Sequence, residues 1–273
     1  MKFLIIVAVF LVAAFLTVVT QVGGVIYLLS WAIYLMIRKY FTKRYWRVAV
    51  RLSLFVSLYL AIILFAMPPL ARKYGRVPLP FTKTNHVKPL TIWTALLNRN
   101  YVRPGLRTIV YSVAADMNKK YPGTVINYMD AGFPFRNGFP LLPHISHNDG
   151  KKLDVAFLYI DKVTGKQTSQ TPSPIGYGGS EPPRPGEPNR AAVCDPQNWQ
   201  YSFMFGWMPL SDRLVFDQTR TQDMVNRFAT DKDIGTLYIE PHLKTRLHLK
   251  SKKIRLHACY SVRHDDHVHV QLY

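Results

Sequence analysis

From Phe3 to Ile37 the chain carries no charged residue, and from Leu52 to Met67 it again carries none. A helix needs about 20 apolar residues to cross a bilayer, so the first run is too long for one crossing and suits two. Gln21, Val22, Gly23 and Gly24 interrupt it with turn-forming residues. This predicts spans over 3–20 and 25–37, followed by a third over 48–67. The loop after the second span carries Arg38, Lys39, Lys43, Arg44 and Arg47, and loops rich in Lys and Arg stay in the cytoplasm. The expectation is a multi-pass protein of the cytoplasmic (inner) membrane, with everything after Met67 on the periplasmic or extracellular side. A cleaved signal peptide in place of the first span would leave the later ones in the same orientation, and no small-residue cleavage site stands out. So long an uncharged stretch argues against a buried hairpin of a soluble protein.

The formal net charge is +19, which invites a nucleic-acid reading, but its distribution argues otherwise. Residues 1–80 hold ten Lys or Arg and no acid, which is the charge of membrane topology. The remainder has 25 basic against 16 acidic residues. That excess suits an anionic partner such as wall polymer or lipid headgroups, and equally an ordinary solvated surface. No recognition helix or RNA-binding signature accompanies it, so no nucleic-acid partner is expected.

Residues 68–90, with Pro68, Pro69, Pro78, Pro80 and Pro89, read as a linker lifting a domain of 91–273 off the membrane. Helices are expected at 91–97 and at 106–121, the latter stopped by Pro122 and Gly123. A strand is expected at 124–129, a helix at 216–230, and strands at 235–239, 254–260 and 267–273. This order is α+β rather than regular βαβ repetition. Between Gly165 and Pro188 the chain is dense in Pro, Gly, Ser and Gln. A loop this long is either disordered or a functional lid, and disorder is the simpler expectation. Cys194 and Cys259 are the only cysteines. An oxidising compartment would permit a disulfide between them, and two buried free thiols are the alternative.

Five of the nine histidines fall in two short clusters. The first runs from His144 through His147 to Asp154, and the second is Arg263, His264, Asp265, Asp266, His267, Val268, His269. Residues two apart on a strand point to one face, so His267 and His269 can approach a single point. Imidazole and carboxylate are ligands that zinc accepts, and three protein ligands plus water is the arrangement of a hydrolytic site. A structural zinc site would use four ligands and more cysteines. His86, His242, His248 and His257 read as ordinary surface histidines.

The spacing His147, six residues, Asp154, and later His267-Val268-His269 resembles the peptidase group that includes lysostaphin-type endopeptidases, D-Ala-D-Ala metallopeptidases and the hedgehog zinc fold. The resemblance is closer to the penicillin-insensitive murein endopeptidase family, which adds a histidine three before the first ligand and another three before the final pair. His144 and His264 occupy those places, Gly150 follows the first ligand as the family pattern does, and the likeness spans about 128–273. It implies Zn2+ held by His147, Asp154 and His269, in a small antiparallel sheet with flanking helices, preceded here by about three transmembrane helices. Lys152 stands where the family usually has an acid, Gln271 where a basic residue is common, and the membrane spans lie outside its secreted pattern. These departures bear on substrate choice more than on metal binding.

Read in this way, the chain is expected to be a membrane-anchored zinc peptidase cutting peptide bonds in peptidoglycan stems or cross-links. His267 is the first candidate for acid–base work and His264 the second. His144 is either a further site residue or the support of a ligand. Asp265 and Asp266 either orient His264 or His267 or are simply solvated. A D,D-carboxypeptidase or dipeptidase of the same group is the nearest rival. A non-catalytic zinc-containing wall-binding module is the other, and it would have no need of His264 and His267.

Overall fold

The structure is a computed structural model and describes residues 2–194, 207–256, 259 and 261–273. Helix α1 (Lys2–Thr20) ends where Gln21 takes a φ of 66°, and α2 (Gly23–Ile37) folds back against it. After a 3-10 turn at Arg38–Tyr40, α3 (Arg44–Ala61) continues through a π-helical turn (Ile62–Ala66) into α4 (Met67–Lys73), giving one helix of 30 residues. Among the described residues two helices are long and apolar enough to cross a membrane, α1 at Phe3–Thr20 and the helix Arg44–Lys73.

The expected middle span is not among them. Bounded by the Gln21 turn and the 3-10 turn, α2 has 15 residues, roughly 22 Å of helix against about 30 Å of hydrocarbon. The expected linker is corrected as well. Pro68 and Pro69 lie in the first turn of α4, where a missing N–H is tolerated. Beyond them, β1 (Val77–Pro78) and β2 (Val87–Pro89) are paired strands of the folded domain.

The chain continues with α5 (Ile92–Leu96), β3 (Tyr101–Val102), α6 (Pro104–Lys120), β4 (Ile126–Tyr128), β5 (Lys152–Ala156), β6 (Tyr159–Asp161) and β7 (Gln167–Thr168). It closes with α7 (Arg190–Cys194), β8 (Leu214–Phe216), α8 (Gln218–Thr230), β9 (Ile234–Tyr238), α9 (Pro241–Arg246), β10 (Ile254–Arg255) and β11 (His267–Leu272). The domain is α+β, but its main sheet is neither small nor purely antiparallel. Six strands run in the order β10-β9-β11-β5-β4-β2, with parallel pairs at both edges and antiparallel pairs between. The edge strand β2 comes from the segment read as linker, whereas β10 falls within the strand expected at 254–260.

The central pair positions everything that follows. β11 and β5 run antiparallel with His269 opposite Asp154 and His267 opposite Ala156, and β9 places Tyr238 opposite His269 on the other side. Opposed residues share a face of the sheet and neighbours along a strand alternate. Leu153, Val155, Val268, Val270 and Leu237 therefore point the other way, into a core with Val110, Val113 and Met117 of α6 and Met224, Val225 and Phe228 of α8. A one-residue slip of β11 would exchange these valines for histidines. α8 starts where the Asp217 side chain accepts from the Arg220 N–H, as capping requires. Phe216, expected as its first residue, belongs to β8 instead.

The segment 165–188 packs on the domain. Gly176 has φ +89°, and a Cβ there would lie 2.6 Å from Leu90 and Met129 side-chain atoms, so only glycine lets the strap lie this close. Further on, Arg246 of α9 pairs with Glu187 and donates to the Pro182 carbonyl at 2.7 Å. His242, expected on the surface, is buried, and its Nε2 donates to the Glu181 carbonyl at 2.8 Å. It sits on the inner face of a short helix that fastens the strap. His86 is half-buried, His248 is exposed, and His257 lies outside the described residues. Cys194 and Cys259 form a disulfide.

Candidate metal centre

Asp154 reaches the sheet face from the middle of β5, and His269 meets it from the directly opposed position of β11, with Nδ1 2.9 Å from Asp154 Oδ1. His147 arrives from the loop before β5. Its Nε2 lies 3.1 Å from His269 Nδ1 and 3.2 Å from Asp154 Oδ1. All three residues are buried, and their ligand atoms form one compact group able to hold a metal ion. A tetrahedral ion with ligands at about 2.0 Å holds its ligand atoms about 3.3 Å apart, so the triangle is already near the right size.

The proton inventory fits a cation. His147 donates its Nδ1 proton to the Ala131 carbonyl at 2.8 Å, which leaves Nε2 with a lone pair facing the other ligands. Burial holds His269 down to about 4, against the pull of Asp154, so the imidazole is neutral at physiological pH. For Asp154 burial favours the neutral acid, but His147 and His267 outweigh it and keep the carboxyl well below its usual range. Two neutral imidazoles and one carboxylate with converging lone pairs are a donor set for zinc or a similar divalent ion.

The loop that delivers His147 is held from below. Gly150 has φ +73° and lies against Arg76, whose side-chain atoms would be 3.2–3.4 Å from a Cβ there. Arg76 is fully buried at the end of α4 and donates to Phe133 O, Asn137 Oδ1 and Asn148 O at 2.5, 2.6 and 3.2 Å. One guanidinium therefore grips both ends of the segment carrying His144 and His147.

No protein-family model matches the chain, and no curated protein matches it. The site must therefore be read from its own geometry.

The remaining histidines lie around the triangle. His267 donates its Nδ1 proton to Asp266 Oδ1 at 2.5 Å, while its Nε2 has no hydrogen-bond partner among the described residues and lies 3.6 Å from Asp154 Oδ1. Burial works against the charged ring, but Asp154 and Asp266 raise its pKa to about 9. The His264 ring lies 4.9 Å from that of His267 and 5.7 Å from that of His269. Its backbone is clamped by Glu240, which accepts from His264 N at 3.2 Å and donates its own N–H to the His264 carbonyl at 3.0 Å. His144 donates from Nδ1 to Asp130 Oδ2 at 2.9 Å and lies 3.5 Å from Asp154 Oδ2. It stands behind the ligand carboxylate and is not one of the three converging donors.

Asp266 and Asp265, expected as a pair with one role, divide. Asp266 supports His267 and accepts from Gly178 N at 2.6 Å. Asp265 pairs with Arg263 and touches neither histidine ring by a hydrogen bond among the described residues. Burial pushes its carboxyl up to about 7, with Arg263 opposing and Asp266 adding to the rise.

Two contributors escaped the sequence reading. Tyr177, on the strap, donates its hydroxyl proton to Asp154 Oδ2 at 2.7 Å. Its place between Gly176 and Gly178 was the available signal, a large side chain in a stretch otherwise built for close backbone approach. Asp130 follows β4 and joins His144 to Arg99, whose Nη2 lies 2.6 Å from the same carboxylate oxygen. Burial would raise the Asp130 pKa, yet Arg99 and His144 hold it below the ordinary value. An isolated Asp between two apolar segments carries no motif.

Proposed function

We propose that the chain is a membrane-anchored zinc metallopeptidase of the murein endopeptidase type, cutting peptide bonds in peptidoglycan stems or cross-links. The observation that carries this reading is the convergence of His147, Asp154 and His269 within 2.9–3.2 Å beside a fourth histidine, His267, that is oriented by Asp266. The motif resemblance at His144, His147, Asp154, His264, His267 and His269 supports it independently. A zinc ion held by the three ligands would supply Lewis acidity, activating water and polarising a carbonyl at neutral pH.

The other residues follow from geometry. Asp266 holds the His267 Nδ1 proton, so the proton that His267 gives up and takes back is the one at Nε2, within 3.6 Å of the Asp154 oxygen. His264, held by Glu240, is placed to donate toward negative charge developing on a substrate oxygen. Tyr177 and Ala131 keep Asp154 and His147 aimed. The basic loop at 38–47 would face the cytoplasm, leaving the domain on the periplasmic or extracellular side of a multi-pass protein, where the disulfide Cys194–Cys259 is permitted.

The test uses the full chain in detergent, loaded with zinc and incubated with defined muropeptides, the products being weighed by mass spectrometry. Conversion of cross-linked dimers to monomers is the expected result, whereas release of terminal D-Ala alone would point to a carboxypeptidase. No cleavage, with a murein endopeptidase active in parallel, would sink the enzyme reading. A binding module would keep its function when His267 is replaced by Ala, while the peptidase should lose turnover by orders of magnitude with zinc still bound.

A further inference from the structure

We propose that the face formed by α5 and the turn around Leu142 and Ile145 rests in the lipid headgroup layer, so that the loop delivering His144 and His147 lies on the membrane surface. The proposal rests on α1 and the helix Arg44–Lys73 crossing that bilayer.

Helix α1 has 19 residues, about 28 Å, close to the hydrocarbon thickness, so its two ends mark the two rims of the membrane. α2 folds back along α1 and, although too short to cross alone, reaches about 28 Å together with the 3-10 turn Arg38–Tyr40 that extends it, so the basic 38–47 loop lies at one rim and Thr20 and Gln21 at the other. Three hydrogen bonds fasten the domain there. Asn98 Nδ2 donates to Thr20 O at 3.3 Å, Phe135 N donates to Gln21 Oε1 at 2.9 Å, and Tyr59 Oη donates to Leu96 O at 2.6 Å. The last residue of α5 and the start of the 135–147 segment are thereby held at the level of the rim.

What these two pieces leave uncovered is mostly apolar, with Ser146 the exposed polar residue of the turn. Ile92 and Trp93 on α5 and Leu142 and Ile145 on the turn are exposed, Trp93 by 64% and Ile145 by 60%. Arg99, just after α5, donates to the Leu142 carbonyl at 2.9 Å, so the two pieces are neighbours. Four large apolar side chains grouped in this way would be a liability in water. Tryptophan favours the headgroup layer, where its apolar body and N–H are both accommodated. Phe10, Leu11 and Phe15 are exposed along α1, the helix whose end at Thr20 and Gln21 holds the domain, and Arg136 stands exposed beside Phe135, which suits anionic headgroups.

The experiment places single cysteines in the full chain, where the native pair is disulfide-bonded and does not take a thiol-specific spin label. Trp93→Cys and Ile145→Cys report the patch, Leu11→Cys reports the spanning helix, and Val163→Cys reports the exposed β6–β7 turn. In vesicles of phosphatidylglycerol and phosphatidylcholine, accessibility to oxygen is compared with accessibility to a water-soluble nickel chelate. The oxygen-to-nickel ratio should be highest at position 11, severalfold above position 163 at positions 93 and 145, and lowest at 163. A lipid-like value at 11 with water-like values at 93 and 145 overturns the proposal, and a water-like value at 11 overturns it together with the spanning reading. As a check without cysteines, brominated lipids should quench a fluorescence component of the native chain that is absent from Trp93→Phe. Loss of the peptidase reading alone would alter none of these readouts.

Discussion

The hydroxyl of Tyr177 donates to the Asp154 oxygen that does not face His147 and His269, at 2.7 Å, so it fixes the carboxylate plane without competing for the ligand atom. Partners of this kind typically contribute about 10–100-fold in metal affinity. Tyr177→Phe should weaken zinc binding by that factor, measured by competition with a chromogenic chelator, while His269→Ala should abolish one-to-one binding. An unchanged affinity in Tyr177→Phe would show that the strap is not part of the centre. The grouping of His147, Asp154 and His269 was legible in the sequence through the resemblance of their spacing to a known peptidase group, and the three do converge into a group that could hold a metal ion. Tyr177, Asp130 and Glu240 were not, because each acts through hydrogen bonds that only the fold creates. The separation of Asp265 from Asp266 was hidden for the same reason, since adjacent residues on an extended chain face opposite ways and only the neighbours, Arg263 and His267, tell them apart.

At the scale of elements, the β-branched and aromatic residues of 235–239 marked β9, and the Pro122-Gly123 stop marked the end of α6. By contrast, β1 and β2 are only two or three residues long, too short for any pattern, and they exist because β3 and β4 offer them an edge. The strap shows the same limit, since its Pro and Gly content resembles disorder while its order comes from contacts. Two substitutions test those contacts. Gly176→Ala puts a Cβ 2.6 Å from Leu90 and Met129 atoms at φ +89°, and should cost about 1–3 kcal/mol, read as a lowered melting temperature with weakened zinc affinity. The far end of the strap depends on pH. Glu187 is hydrogen-bonded by Arg246, which, with burial opposing, brings its pKa to about 2. A lowered folded-state pKa means the pair stabilises above the ordinary glutamate value and loses that contribution as pH falls toward 2. Hydrogen exchange of 182–187 should therefore quicken between about pH 4.5 and 2 relative to the rest of the domain, and in Glu187→Gln it should already be fast at pH 5.

Across the whole molecule, the helices and the domain share a buried cluster beside the main core of the domain. Val22, Ile26, Ile63, Met67 and Ala71 cluster with Tyr101 of β3, and Phe81, Leu96 and Phe135 pack against them. The sequence suggested an anchor, a linker and an independent domain, because proline-rich stretches between apolar and polar regions usually separate them. Here those prolines start α4 and edge the sheet, and the residue just after that helix is the link that matters. Arg76 is buried without a hydrogen-bonded carboxylate among the described residues, and its guanidinium holds Phe133 O, Asn137 and Asn148 O around the segment bearing His144 and His147. Replacing it with Ala in the full chain leaves the Phe133 carbonyl without its donor, at about 1–3 kcal/mol for an unmade buried bond, leaves Asn148 O with Gly138 N and Asn137 Oδ1 with Arg103 as their remaining donors, and loosens the loop that delivers His147. Arg76→Ala should therefore weaken zinc binding at least as much as Tyr177→Phe, while the membrane helices stay inserted. Lysine, a point charge without the guanidinium fork, should restore only part of the loss. A chain cut to residues 81–273 lacks Arg76, β1 and the helical half of the shared cluster, so it should bind zinc more weakly still and expose the apolar face of Tyr101, Phe81 and Leu96, detectable as aggregation in detergent-free buffer. If that fragment instead bound zinc as tightly as the full chain, the domain would be autonomous and the coupling of anchor to metal centre through Arg76 would be wrong.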